Sequence, residues 1–146
     1  MPSVAIFVDA GYLFAQGSVA IFGSGKPRQL LKLNESAAIV ELTNIASERA
    51  PNLPLLRVYW YDGVRSARQL PADHAALAFM DHVKLRLGFI TSKGQQKGVD
   101  SLIVTDMIEL ARNHAMSDAV LLSGDRMSAL ACRSPKVLGC GFTCLA

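Results

Sequence analysis

A single α/β domain on a parallel sheet is the fold class predicted by this 146-residue chain. Short apolar runs with strand character alternate with helix-period segments, and no repeat or linker interrupts the alternation. Length agrees, since such a chain suits one domain and can bury a sizeable core. In sheets of this kind the ligand site lies beyond the carboxyl ends of the strands, near the switch point.

The elements follow in order. "SVAIFVDAGY" is rich in Val, Ile and Phe and closes on Asp9, Ala10 and Gly11, as a central strand buried on both faces does. "GSVAIFGSGKPRQ" reads as a helix end and then a Gly/Lys/Pro loop. Asn34 can cap a helix over 35–50, where Ile39, Leu42, Ile45 and Ala46 share a face and Pro51 follows. "LLRVYWYD", residues 55–62, is the second strand, rich in aromatic and β-branched residues. A helix is expected around 72–81, ahead of "VKLRLGFI" at 83–90, whose alternation suits a strand nearer the edge. "TSKGQQKG" is a polar loop, residues 99–114 hold the strongest helical pattern, and "DAVLLSGD" is the next strand. Asp9, Asp62 and Asp125 therefore all fall at strand ends.

Composition narrows the function classes. No apolar run approaches the ~20 residues needed to span a bilayer. The N-terminus has no basic stretch before its apolar run, so no signal peptide and no membrane are expected, and a cytoplasmic location follows by default. The net charge of +3 is no argument for nucleic acid. Residues 126–146 contain Arg126, Arg133 and Lys136 and no acid, and without them 12 basic and 12 acidic residues remain. Local clusters (Lys26, Arg28 and Lys32; Arg65 and Arg68; Lys93 and Lys97) suit solvated loops as readily as phosphate contacts. Cys132, Cys140 and Cys144 all lie in the tail, an odd count with neither paired spacing nor a nearby His, which suggests neither disulfides nor zinc.

The helix at 99–114 carries the sharpest chemical clue. At 100° per residue Val99, Leu102, Ile103, Met107 and Leu110 form its apolar face, and Asp106 projects into that face. A carboxylate turned toward a core must find a partner, because an unpaired buried charge costs several kcal/mol or more. For Asp106 that partner is either a base such as Lys97 or Arg86, or a cation shared with other acids. Asp100 suits a helix N-cap, and Asp9 and Asp125 suit turns after strands. One shared cause accounts for all four: carboxylates gathered at the sheet's carboxyl edge around a hard cation, Mg²⁺ or Mn²⁺, with oxygen ligands alone.

These residues carry a family resemblance. "AIFVDAGYLF", "QQKGVDSLIVTDMIELA" and "AVLLSGD" resemble NYN domains, the LabA-like branch of the PIN-type nuclease superfamily, in order and spacing over residues 3–125. The resemblance implies a PIN-like three-layer αβα sandwich with a central parallel sheet, and an acidic pocket holding one or two divalent metals. It further implies ribonuclease activity, with Asp9, Asp100, Asp106 and Asp125 as the metal-site acids and Lys97 and Ser123 as accessory groups. Arg65 and Arg68 would track the RNA backbone. Single-stranded RNA is then the expected partner, with a homo-oligomer left open. The runner-up is a non-catalytic RNA- or protein-binding module on the same fold. A phosphoryl-transfer or receiver domain lacks its signatures, since neither D-x-D-G-T nor G-x-x-x-x-G-K-[ST] occurs.

The sequence departs from the family pattern in two places. Gly11-Tyr12 stands where many NYN domains have Asn, and Met127 replaces the second acid of a Ser-Gly-Asp-x-Asp strand end. After Asp125 all periodicity stops, so residues 1–125 are taken as the domain. The last helix and strand are expected to be missing or disrupted within 126–146. A one-nucleotide loss after the Asp125 codon accounts for the break. Met127 is encoded only by ATG, so the alternative frame holds an xAT codon that can be Asp. Beyond it that frame can read V-R-V-G-V-Q-I-A-Q-S-F-G-V-R-V-H-L, a helix, a Gly stop and a strand.

Overall fold

The computed structural model describes residues 2–23, 34–64, 72–90, 96–122 and 137–139. Within these, the side chains of 16–18, 20–22, 64, 72–73, 89–90, 96–97, 100 and 137–139 are left undescribed. The chain runs β1 (Val4–Asp9), α1 (Ala10–Phe22), α2 (Glu35–Arg49), β2 (Leu55–Val64), α3 (Ala72–Ala78) and β3 (Val83–Ile90). It continues with β4 (Gln96–Lys97), α4 (Val99–Arg112), β5 (Asp118–Leu122) and β6 (Val137–Gly139). The strand order is β4-β3-β2-β1-β5-β6. The four central strands, β3, β2, β1 and β5, are all parallel; β6 extends them in parallel and β4 pairs antiparallel with β3.

Strand alternation sorts the core into two clusters. Val4, Ile6 and Val8 of β1, with Val58 and Trp60 of β2, face α1, α2 and α3. Ala5 and Phe7, with Tyr59 and Tyr61, face Val99, Ile103 and Met107 of α4. This gives the helix–sheet–helix sandwich expected from the sequence. β1 is buried along Val4–Val8, as its unbroken apolar run requires. Asn34 caps α2 as expected, its side chain accepting from the Ala37 N–H at 3.0 Å.

Some boundaries differ from the sequence expectation. The turn after β1 is already helical, because the Asp9 side chain caps α1 by accepting from the Tyr12 N–H. The helix expected over 72–81 ends at Ala78. The polar loop before α4 contributes β4, since Lys97 and Gln96 pair with Phe89 and Ile90. In the tail, where the last helix and strand are expected to be missing or disrupted, Val137–Gly139 form a three-residue strand pairing with Ala119–Leu121 of β5. Residues 123–136 and 140–146, where the rest of the tail expectation falls, lie outside the described residues. Among the described residues no helix is long and apolar enough to cross a membrane.

Asp62 is not the end of its strand but a fully buried carboxylate on the α1–α3 face. His74 of α3, only 2% exposed, places Nε2 2.6 Å from one Asp62 oxygen, and the Gly63 N–H donates to the other at 2.8 Å. His74→Ala removes a hydrogen-bonding partner from a buried carboxylate, and should cost about 3 kcal/mol of unfolding free energy. Urea denaturation measures it; a loss below about 1 kcal/mol would mean that the pair does not hold α3 to the sheet.

Candidate functional site

The candidate site is built on one row of residues across three parallel strands. Asp9 closes β1, its Cα partner on β2 is Tyr61, and the partner of Tyr61 on β3 is Arg86. Alternation after Ala5 and Phe7 puts Asp9 on the α4 face, the face that Tyr61 also serves. Over the middle of the row stands Asp106 of α4. The Tyr61 hydroxyl donates to Asp106 Oδ2 at 2.8 Å. Arg86 donates from Nε to Oδ2 at 3.0 Å and from Nη2 to Oδ1 at 3.2 Å.

Asp106 thus finds its partner in Arg86, one of the two bases that its position on an apolar helical face suggested. The pair is bidentate and well sheltered, with the Asp106 side chain 12% exposed and that of Arg86 35%. Tyr61 adds a third hydrogen bond, a role the sequence reading missed. The alternation of "YWY" could have shown it, because Tyr59 and Tyr61 must share the α4 face. Phe7 stacks on both rings, at centroid distances of 5.2 Å from Tyr59 and 6.3 Å from Tyr61. Burial, the hydrogen bond to Asp106 and the charge of that carboxylate together push the Tyr61 phenol far above its ordinary value; Arg86 opposes them weakly. Burial likewise raises Tyr59.

The start of α4 is also informative. Gly98, at φ 84°, is the N-cap, and no side chain caps the helix. A positive φ of this kind is natural for glycine and strained for other residues. Asp100 is therefore the second helical residue and not the N-cap that its sequence position suggested. Its side chain lies outside the described residues, as do the side chain of Lys97 and all of Arg65, Arg68, Ser123 and Asp125. Among the described residues no three His, Cys, Asp or Glu side chains come together as a metal-binding group. Of the four expected acids, Asp9 lies in the row with Tyr61 and Arg86, and Asp106 bonds to Tyr61 and Arg86 from α4.

Beside Arg86 an open groove of about 230 Å³ runs between β3 and α4. Tyr59, Lys84 and Arg86 line it from the sheet, and Asp106, Glu109, Leu110 and Asn113 from α4 and its C-cap.

Comparison with known proteins agrees with this architecture. The family model of the NYN domain matches residues 3–145. A stretch of 56 residues is 70% identical to the uncharacterized protein y4oD of Sinorhizobium fredii (strain NBRC 101917 / NGR234). That stretch is 38% of this chain and spans about a quarter of the relative's length, 26%. No solved structure gives a significant match. The chain belongs to the NYN domain family, part of the PIN-like nuclease superfamily.

The raised Tyr61 pKa sets a pH dependence. The folded state holds this proton more tightly than the unfolded state, so the stabilisation is complete below the unfolded value of 10.0 and is lost as pH rises beyond it. Stability should fall by about 1.4 kcal/mol per pH unit above that point from Tyr61 alone. Urea unfolding between pH 9 and 11.5 should show a shallower decline for Tyr61→Phe than for the parent. Equal slopes would contradict the buried Tyr61–Asp106 contact.

Proposed function

We propose that this member of the NYN domain family is a ribonuclease. It would hydrolyse RNA phosphodiesters with a divalent cation, Mg²⁺ or Mn²⁺, held at the carboxyl edge of the sheet. The observation that carries this reading is the placement of Asp9 within a fold of the family. A half-buried carboxylate closes the central strand β1, at the edge where ligands of parallel sheets bind.

The residues differ in how well they fit a cation. Asp9 fits by donor type and position: its carboxylate oxygens are hard donors at the strand end, and one of them accepts the Tyr12 N–H. Asp100, in the first turn of α4, and Asp125, three residues after the end of β5 in sequence, complete an oxygen-only set in this proposal. Asp106 fits less well, because Arg86 and Tyr61 engage both of its oxygens and a metal would have to displace them. We assign it to holding α4 in place beside the cation site. A bound divalent cation supplies a water of lowered pKa and offsets charge on phosphate oxygens. Lys97 and Ser123 would bind the phosphate beside it, and Arg65 and Arg68 would follow the RNA backbone.

The second reading, a binding module without catalysis, is favoured by one feature. Met127 stands where the family pattern has an acid, and a thioether is a poor ligand for a hard cation. A frameshift after codon 125 would explain this, whereas β6 and a family match running to residue 145 weigh toward the tail as it stands. Sequencing the coding DNA across codons 123–130 decides between them.

The activity test is cleavage of a labelled single-stranded RNA. Cleavage should require Mg²⁺ or Mn²⁺, stop with EDTA, and fall by more than about 100-fold in Asp9→Asn, which keeps the shape but loses the charge. Cleavage indifferent to EDTA would rule out the metal mechanism. RNA binding without any cleavage would establish the second reading.

A further inference from the structure

The proposed chemistry leaves one group of charged side chains on the α4 face without a role. On β3, Lys84 pairs in register with Tyr59 and Arg86 with Tyr61, and both bases line the groove beside α4. Lys84 is exposed, as is Arg57, whose charge acts on Tyr59. The acids of this region are Asp106, already engaged by Arg86, and the exposed Glu109. The groove itself is lined by two bases, Lys84 and Arg86, and two acids, Asp106 and Glu109, and the exposed Arg57 on β2 adds a positive charge outside it.

Arg86 is the informative member. Its guanidinium has five N–H donors, and the two facing Asp106 are occupied. The remaining edge belongs to a side chain that is 35% exposed and whose rotamer is held by two charge-assisted bonds. Such an arginine is organised before any ligand arrives, so less rotamer entropy is lost when it meets a phosphate. Arg86 also shares the row of Asp9, two strands away, or about 10 Å at the usual strand spacing. Lys84 lies two residues earlier on the same strand, toward its amino end, and lines the same groove.

The geometry points to Lys84 and Arg86 as a phosphate-binding track for single-stranded RNA, carrying the chain away from the cleavage site along the groove between β3 and α4. This inference rests on the ribonuclease reading above. Asp106 is a positioning residue in it, acting on the substrate only through Arg86.

Salt dependence separates phosphate contact from a structural role. Each phosphate contact to a single strand contributes about 0.7 to the slope of log K against log salt. Binding of a fluorescein-labelled dodecauridylate would be followed by anisotropy, in EDTA, across a series of NaCl concentrations. Lys84→Gln should reduce the slope by about 0.7, and Lys84→Gln combined with Arg86→Gln/Asp106→Asn by about 1.4. Arg86 and Asp106 are changed together so that neither partly buried charge is left unpaired. If the combined variant fails to fold, the exposed Lys84→Gln decides alone. A slope equal to that of the parent in a folded variant overturns the track. If the parent nevertheless cleaves RNA with a divalent metal, the ribonuclease reading survives. A parent that neither binds nor cleaves RNA overturns both.

Discussion

The position of α4 depends on one partly buried carboxylate. Asp106 projects from an otherwise apolar helical face onto the aromatic rows of β2, where an unpaired charge would cost several kcal/mol. Arg86 reaches it from β3 and Tyr61 from β2, so three hydrogen bonds converge on one side chain. Apolar packing alone would let a helix slide over a sheet by small steps. A bidentate ion pair with a phenol beside it fixes a single register, and removing one partner leaves a sheltered charge uncompensated. The first turn of α4, with Asp100, is thereby held on the same side of the sheet as Asp9.

The opposite face uses a second polar pair for a similar purpose. Asp62 and His74 are both buried and tie the end of β2 to α3. The two pairs lie on opposite faces of neighbouring positions in β2, because Tyr61 and Asp62 alternate. Each face of the sheet thus combines apolar area for adhesion with a polar contact for register. The carboxyl ends of β1 and β2 lie between these anchors, which suits a site that must hold charged groups in fixed positions.

Most of the fold was legible in the sequence because buried parallel strands read as short apolar runs, and "SVAIFVD", "LLRVYWY" and "DAVLL" are such runs. The tension at Asp106 was legible too, since helical periodicity alone places it among Leu102, Met107 and Leu110. Periodicity could not choose its partner: an arginine on a strand twenty residues earlier and a cation shared with other acids satisfy the same electrostatic need. Only the register of β3 against β2 brings Arg86 beside it. Asp62 was placed at a strand end because the aromatic run stops there. β2 in fact continues through Gly63 and Val64, and the His74 contact depends on where α3 packs, which no local pattern encodes. The cap of α4 was misplaced because Asp is the commoner capping residue, whereas Gly98 does the work through its backbone.

In the proposed function Asp9 holds the metal while Asp106 anchors α4, and a crystal structure grown with Mn²⁺ tests that separation directly. Anomalous scattering should place manganese within ~2.0–2.6 Å of the Asp9 carboxylate, with Asp106 still bound by Arg86 and Tyr61. Manganese coordinated by Asp106, with the Arg86 side chain displaced, would contradict it.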